Sequence, residues 1–191
     1  MKPTENDLKV LAEVAGKLGV PPDWLFAQIN FESGGSWDPK IKNPNSSARG
    51  LIQFMNSTAL NMGYKDSLDL VEKNPTISSQ LRGPVFEYYK QFMPFPNSQS
   101  FFLSVFLPKY RNASPDTVIY HDDVTRKKSF QSANPGIKTV GDYTEKLMLK
   151  FLKGKKPTIP EAGKIFTKVL FSVAMVAGIF LLIKKIGGSN G

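Results

Sequence analysis

The chain has 191 residues, 41% hydrophobic and 21% charged, enough apolar material for one main folded unit and too much for global disorder. With no cysteine and one histidine it excludes a disulfide scaffold, a thiolate or ordinary zinc site and a cysteine nucleophile. The net charge of +9 is uneven: residues 1–149 carry 17 Lys/Arg against 15 Asp/Glu, and residues 150–191 carry eight against one. The basic excess belongs to the C-terminal segment, and no nucleic-acid partner is expected for the rest.

In chain order, Thr4 caps a first helix with Asp7 at the capping-box position, Leu8, Leu11, Ala15 and Leu18 share one face, and Gly19 ends it. Pro21 and Pro22 open a second helix that stops near Gly34 and Gly35 and so carries Glu32 in its last turn. The turn-rich stretch 34–50 (GGSWDPKIKNPNSSARG) reads as a long ordered loop or a short hairpin. A third helix is expected from about Ser57 to Gly63 and a short one over residues 67–72. A longer one follows Asn74-Pro75-Thr76 to about Met93, bent at Gly83-Pro84. Residues 99–106 are strongly apolar and read as a buried helix closed by Pro108, while 111–138 show little periodicity. Thr139 then caps a helix with Val140, Tyr143, Leu147 and Phe151 on one stripe, ended by Gly154. Strand signals are weak throughout, so the fold class expected is mainly α.

Residues 169–183 (VLFSVAMVAGIFLLI) carry no charge. Extended to 165–186 the segment reaches about 33 Å at 1.5 Å per residue, enough for a hydrocarbon layer of about 30 Å. Lys168, Lys184 and Lys185 lie near its ends, where their stems can snorkel. The domain organisation expected is a globular domain over 1–153, a basic Pro/Gly linker over 154–163 (GKKPTIPEAG), a single transmembrane helix over 164–186 in a lipid membrane, and a tail over 187–191. The N-terminus, MKPTENDLKV, lacks the apolar core of a secretory signal, which describes a tail-anchored protein.

Most residue types that carry chemistry are poorly placed for it. His121, in Tyr120-His121-Asp122-Asp123, has no nucleophile-elbow serine and reads as a surface loop residue. The two aspartates lack the alternating spacing of a calcium loop, so no metal and no cofactor is expected. Glu32 differs. At a helix C-terminus the carbonyl ends favour its protonated form, and cover by Phe31 and Trp37 would raise its pKa further; by these features alone it reads equally as a solvated helix cap. A carboxylic acid held protonated near neutrality can deliver a proton to a glycosidic oxygen.

The string around Glu32 narrows the chemistry. Leu18-Gly19-Val20-Pro21-Pro22, Glu32-Ser33, Trp37-Asp38-Pro39, Asn43-Pro44, Ser47-Ala48-Arg49-Gly50-Leu51-Ile52-Gln53-Phe54-Met55 and Thr58-Ala59, in this order, resemble the soluble-type lytic transglycosylases. Phe106-Leu107-Pro108 and Asn134-Pro135-Gly136-Ile137 are similar to the phage-borne branch of that family. The resemblance implies a goose-lysozyme-like domain of packed helices acting on peptidoglycan glycan strands. Glu32 would be the sole catalytic acid and Gln53 would bind sugar near the cleaved bond. Ser33 would orient the acid or the backbone around it, and Asn43 stands roughly where a family serine meets substrate. The family's Ala-Tyr-Asn motif is missing; Tyr110 could supply that phenol, or Phe106-Leu107-Pro108 could take the position instead. Trp37, Phe54 and Tyr64 are candidates either for a sugar groove or for core.

Hydrolytic glycosidases need a second carboxylate, and the only acid between Glu32 and Asp66 is Asp38, which in Trp-Asp-Pro reads as setting a turn. The mechanism that the resemblance implies fits a lone acid, so the expectation is a membrane-anchored lytic transglycosylase yielding 1,6-anhydro ends. With a C-terminal anchor, it would sit in the internal membrane of a phage virion, beside capsid or other virion membrane proteins. From there it would act on the host periplasm and wall. The alternatives are a hydrolytic lysozyme, or a degenerate glycan-binding or structural membrane protein.

Overall fold

The computed structural model describes residues 1–148, and these are mainly helical with no strands. The linker, the expected membrane span and the end of the last helix lie outside the described residues. No helix among those described is long and apolar enough to cross a membrane.

Local chemistry sets the first elements. Helix α1 runs Glu5–Leu18, with the Thr4 hydroxyl accepting the Asp7 N–H and the Asp7 carboxylate accepting the Thr4 N–H. Gly19 closes it in the left-handed region at φ 70°. Helix α2, Pro22–Glu32, starts on a proline at its first position, where no N–H is needed. Its buried Leu25 and Ile29 pack toward α1 and α7 (Ser98–Phe106). Phe101 of α7 stacks on Tyr89 at 4.5 Å with planes 4° apart, Phe95 meets both rings edge-on, and Trp24 of α2 lies against Phe101 and Phe102. This aromatic block, with Leu11, Leu18, Leu25, Leu81 and Leu103, is the centre of the core.

Between α2 and α3 (Asn56–Asn61) the chain forms a short hairpin-like turn. Arg49 bridges both Lys42 and Phe54, and Arg49 and Phe54 exchange both backbone hydrogen bonds. Helix α4 is Ser67–Lys73. The bend expected at Gly83-Pro84 is a π-helical turn, Leu81–Val85, joining α5 (Ile77–Gln80) to α6 (Phe86–Lys90). Gly83 leaves helical geometry there (φ −96°, ψ −108°), which accommodates a proline that can neither donate nor sit under the preceding carbonyl.

One helix was not foreseen: α8, Val124–Ala133, capped by the Asp123 carboxylate on the Arg126 N–H. Phe130 is its buried apolar side chain, so no stripe marks it in the sequence. Thr139 caps α9 (Val140–Asp142), as its sequence suggests, and the chain continues as a π-helical segment over Tyr143–Met148.

Gln80 shows how distant segments are tied. Fully buried, its amide accepts the Leu51 N–H at 3.0 Å and donates to the carbonyls of Pro39 and Asn74. Gly50 lies against it at φ 77°, where an added Cβ would fall 2.8 Å from Gln80 Oε1 and 3.2 Å from Val71 Cγ1. Gly50→Ala is therefore expected to cost roughly 3 kcal/mol, the left-handed strain plus displacement of a buried hydrogen bond. Denaturant melts should show the midpoint falling with an unchanged slope.

Candidate active site

Glu32 is the last residue of α2, and the chain leaves the helix immediately beyond it. Ser33 is the C-cap, its N–H bonded to Ile29 O at 2.9 Å, and Gly34 and Gly35 turn the backbone at φ 58° and 77°. One helical turn before Glu32, on the same face, Gln28 is fully buried and its Nε2 donates to Glu32 Oε1 at 2.7 Å. Gln28 Oε1 has no partner among the described residues.

Glu32 as a residue is half-buried and reaches solvent, while its carboxyl is largely surrounded by protein atoms. Removal of water from the carboxylate pushes its pKa up to about 7, against the smaller opposing effect of the Gln28 amide. No second carboxylate is among these influences. The acid is thus protonated at or just below neutrality, and the same side chain can re-ionise once its proton is transferred.

Three phenols surround this charge electrostatically. Tyr88 and Tyr89 on α6 and Tyr143 at the start of the π-helical segment all have raised pKa values, first from burial and then from the Glu32 charge. Tyr88 is pushed up to about 12, and its hydroxyl donates to Ser104 O at 2.8 Å. The hydroxyls of Tyr89 and Tyr143 are buried without a hydrogen-bond partner among the described residues. Their orphaned oxygens and Gln28 Oε1 leave polar capacity unused in the neighbourhood of the acid.

Sequence reasoning missed these phenols. Tyr143 reads as one member of an apolar stripe, and Tyr88 and Tyr89 as ordinary residues of a bent helix. Tyr110, the phenol singled out from sequence, accepts the Tyr120 N–H at 2.7 Å through its oxygen, and its ring meets Tyr120 edge-on.

Ser33 is buried and its hydroxyl accepts the Trp37 N–H at 3.2 Å, so it holds the turn beyond the acid. Asn43 accepts the Asn45 N–H at 2.9 Å, an Asx-turn in the loop that leads to Gly50. Gln53 sits at φ 56° at the tip of the Arg49–Phe54 turn, its Nε2 donating to Gly50 O at 3.1 Å. The next residue, Phe54, lies edge-on to the Tyr88 ring at 6.2 Å, and Tyr88 is one of the phenols that feel the Glu32 charge.

Trp37 and Phe54 belong to the core, each 2% exposed. Trp37 packs on Phe26 and donates to Asn30 Oδ1, so it is a wall of the interior and not of a groove. Tyr64 is half-buried, its hydroxyl accepting from Asn74. Asp38 sets the turn expected of it by accepting the Lys40 N–H at 2.9 Å. His121 is exposed beside Asp122. Among the described residues no group of three His, Asp or Glu side chains could hold a metal.

No protein-family model matches the chain, and no characterised protein matches it significantly.

Proposed function

We propose that the chain is a peptidoglycan lytic transglycosylase in which Glu32 acts first as general acid and then as general base. The observation that carries this reading is one enclosed carboxyl with a pKa near 7 and no second carboxylate acting on it. Inverting and retaining hydrolases divide acid and base or nucleophile between two carboxylates. A lone carboxyl suits a reaction in which the substrate supplies the second nucleophile.

The steps balance without water. Glu32 gives its proton to the oxygen linking C1 of N-acetylmuramic acid to the next sugar, and the C1–O bond breaks. The acetamido group of the muramic ring supports the positive charge at C1. The Glu32 carboxylate then takes the proton of the C6 hydroxyl as O6 bonds to C1, which closes a 1,6-anhydro ring and restores the acid. Gln28 steadies the carboxylate while it is charged, and the Gln53 amide, on its turn, is the sugar contact. Ser33 and Asn43 support this geometry through the backbone, and the phenol that serves the site is Tyr110 or the half-buried Tyr88.

The strongly apolar residues 164–186 anchor this domain to a lipid membrane. The setting we favour is the internal membrane of a phage virion, from which the enzyme opens the host wall locally for genome passage; purified virions should contain it.

Mass spectrometry of muropeptides released from purified murein tests the reaction. Products one water lighter than the hydrolytic ones, with no reducing end, are expected. Reducing ends would assign the chain to hydrolysis.

A further inference from the structure

The proposed reaction asks more of Glu32 than a firm hold on its proton. The proton must sit on the oxygen that meets the substrate and must be presented there at each turnover. A carboxyl has two oxygens, and Gln28 commits one of them: its Nε2 donates to Glu32 Oε1 at 2.7 Å from one helical turn away. An Oε1 engaged by an N–H donor is the acceptor in both states of the acid, which leaves the transferable proton to Oε2. The reversed amide would do the opposite. Gln28 Oε1 would then face Glu32, accept its O–H and hold the proton inside the protein. The two ends of an amide have nearly the same shape, so the hydrogen bonds on its far side decide between them.

The groups that could decide it are buried together behind the acid. Gln28 Oε1 and the hydroxyls of Tyr89 and Tyr143 have no hydrogen-bond partner among the described residues, and all three side chains are 0% exposed. They come from α2, α6 and the π-helical segment, and α2 packs against that segment. Tyr89 stacks on Phe101 and Tyr143 on Phe106, with centroids 4.5 and 4.9 Å apart, so neither phenol is free to turn toward solvent. Both feel the Glu32 charge, Tyr89 feels Tyr143 as well, and burial keeps both protonated as donors. Tyr88 stands apart, because its hydroxyl is already donated to Ser104 O. Two O–H donors and one acceptor match a single water, which accepts twice and donates once; buried waters typically make about three such bonds.

We infer that Gln28 is a positioning residue, its amide locked by one internal water that accepts from the Tyr89 and Tyr143 hydroxyls and donates to Gln28 Oε1. The lock keeps Nε2 on Glu32 Oε1 and the transferable proton on Oε2. Its role rests on the reading of Glu32 as a glycan-cleaving acid. The two phenols never touch substrate; they act through the amide.

Steady-state kinetics on murein and melting of the full-length chain carrying Gln28→Met, Tyr89→Phe or Tyr143→Phe supply the test. Gln28→Met fills a similar volume without an amide and should lower kcat roughly tenfold while leaving KM alone. Each Phe variant should lower kcat about fivefold and melt below the wild type, since it strips a donor from the water and leaves the remaining groups short of a partner. Added to Gln28→Met, neither Phe substitution should lower kcat further, because the hydroxyls act only through Gln28. Phe variants that melt above the wild type and cleave at full rate would show the hydroxyls to be unpaired and overturn the lock. Lower melting with unchanged kcat would reduce the phenols to a structural part and overturn it too. Either result, with wild-type cleavage intact, spares the proposed reaction; a wild-type chain that does not cleave murein would remove both.

Discussion

Murein zymography with Glu32→Gln is expected to show activity lower by 10² to 10⁴, the usual worth of a positioned general acid. The variant keeps the shape of the side chain and its place beside Gln28 while removing the transferable proton. Circular dichroism should show an unchanged fold, so the loss is attributable to chemistry. In the wild type, kcat/KM should be level in mildly acidic solution and fall as pH rises through about 7, where the free enzyme loses the proton that burial holds on Glu32. Activity retained in Glu32→Gln would remove Glu32 as the acid and with it the whole mechanism.

The same substitution should stabilise the protein at alkaline pH. Glu32 has a pKa of about 7 when folded against an ordinary value of 4.5. Between these values the folded chain holds a proton that the unfolded chain has released, so stability declines as pH rises through this window. The difference of 2.5 units amounts to about 3 kcal/mol above pH 7, an upper figure because the residue keeps some contact with water. Glutamine carries no such cost. Melting temperatures of the two proteins should therefore separate in favour of the variant at pH 8 and converge toward pH 4. Parallel curves across that range would mean that Glu32 titrates normally and is well hydrated. An opposite effect of one residue on activity and stability is expected where a site holds a group in an unfavourable environment for function.

Both predictions depend on surroundings that the chain assembles from distant places. The position of Glu32 at the end of α2 was legible, because Pro22 and the Gly34-Gly35 pair act within a few residues of themselves. The identity of its phenolic neighbours was not. Tyr88, Tyr89 and Tyr143 come to it through the packing of α6 and the last π-helical segment, and nothing near them in sequence distinguishes them from core residues. Trp37 was ambiguous for the related reason that an aromatic in a loop can face inward or outward; Phe26 and Asn30 hold it inward.

The residues alone determined the caps at Thr4 and Thr139, the stop at Gly19, the bend at Gly83-Pro84 and the carboxylate on the last turn of α2. These depend on backbone dihedrals and hydrogen bonds that close over three or four positions. Only the tertiary structure decided that Tyr110 is bound to Tyr120, that α8 exists with little more than Phe130 buried, and that Glu32 sits where its proton is retained near neutrality. Desolvation is the sum of every atom that displaces water around a group. Most of those atoms belong to segments far along the chain, so no short stretch of sequence encodes it.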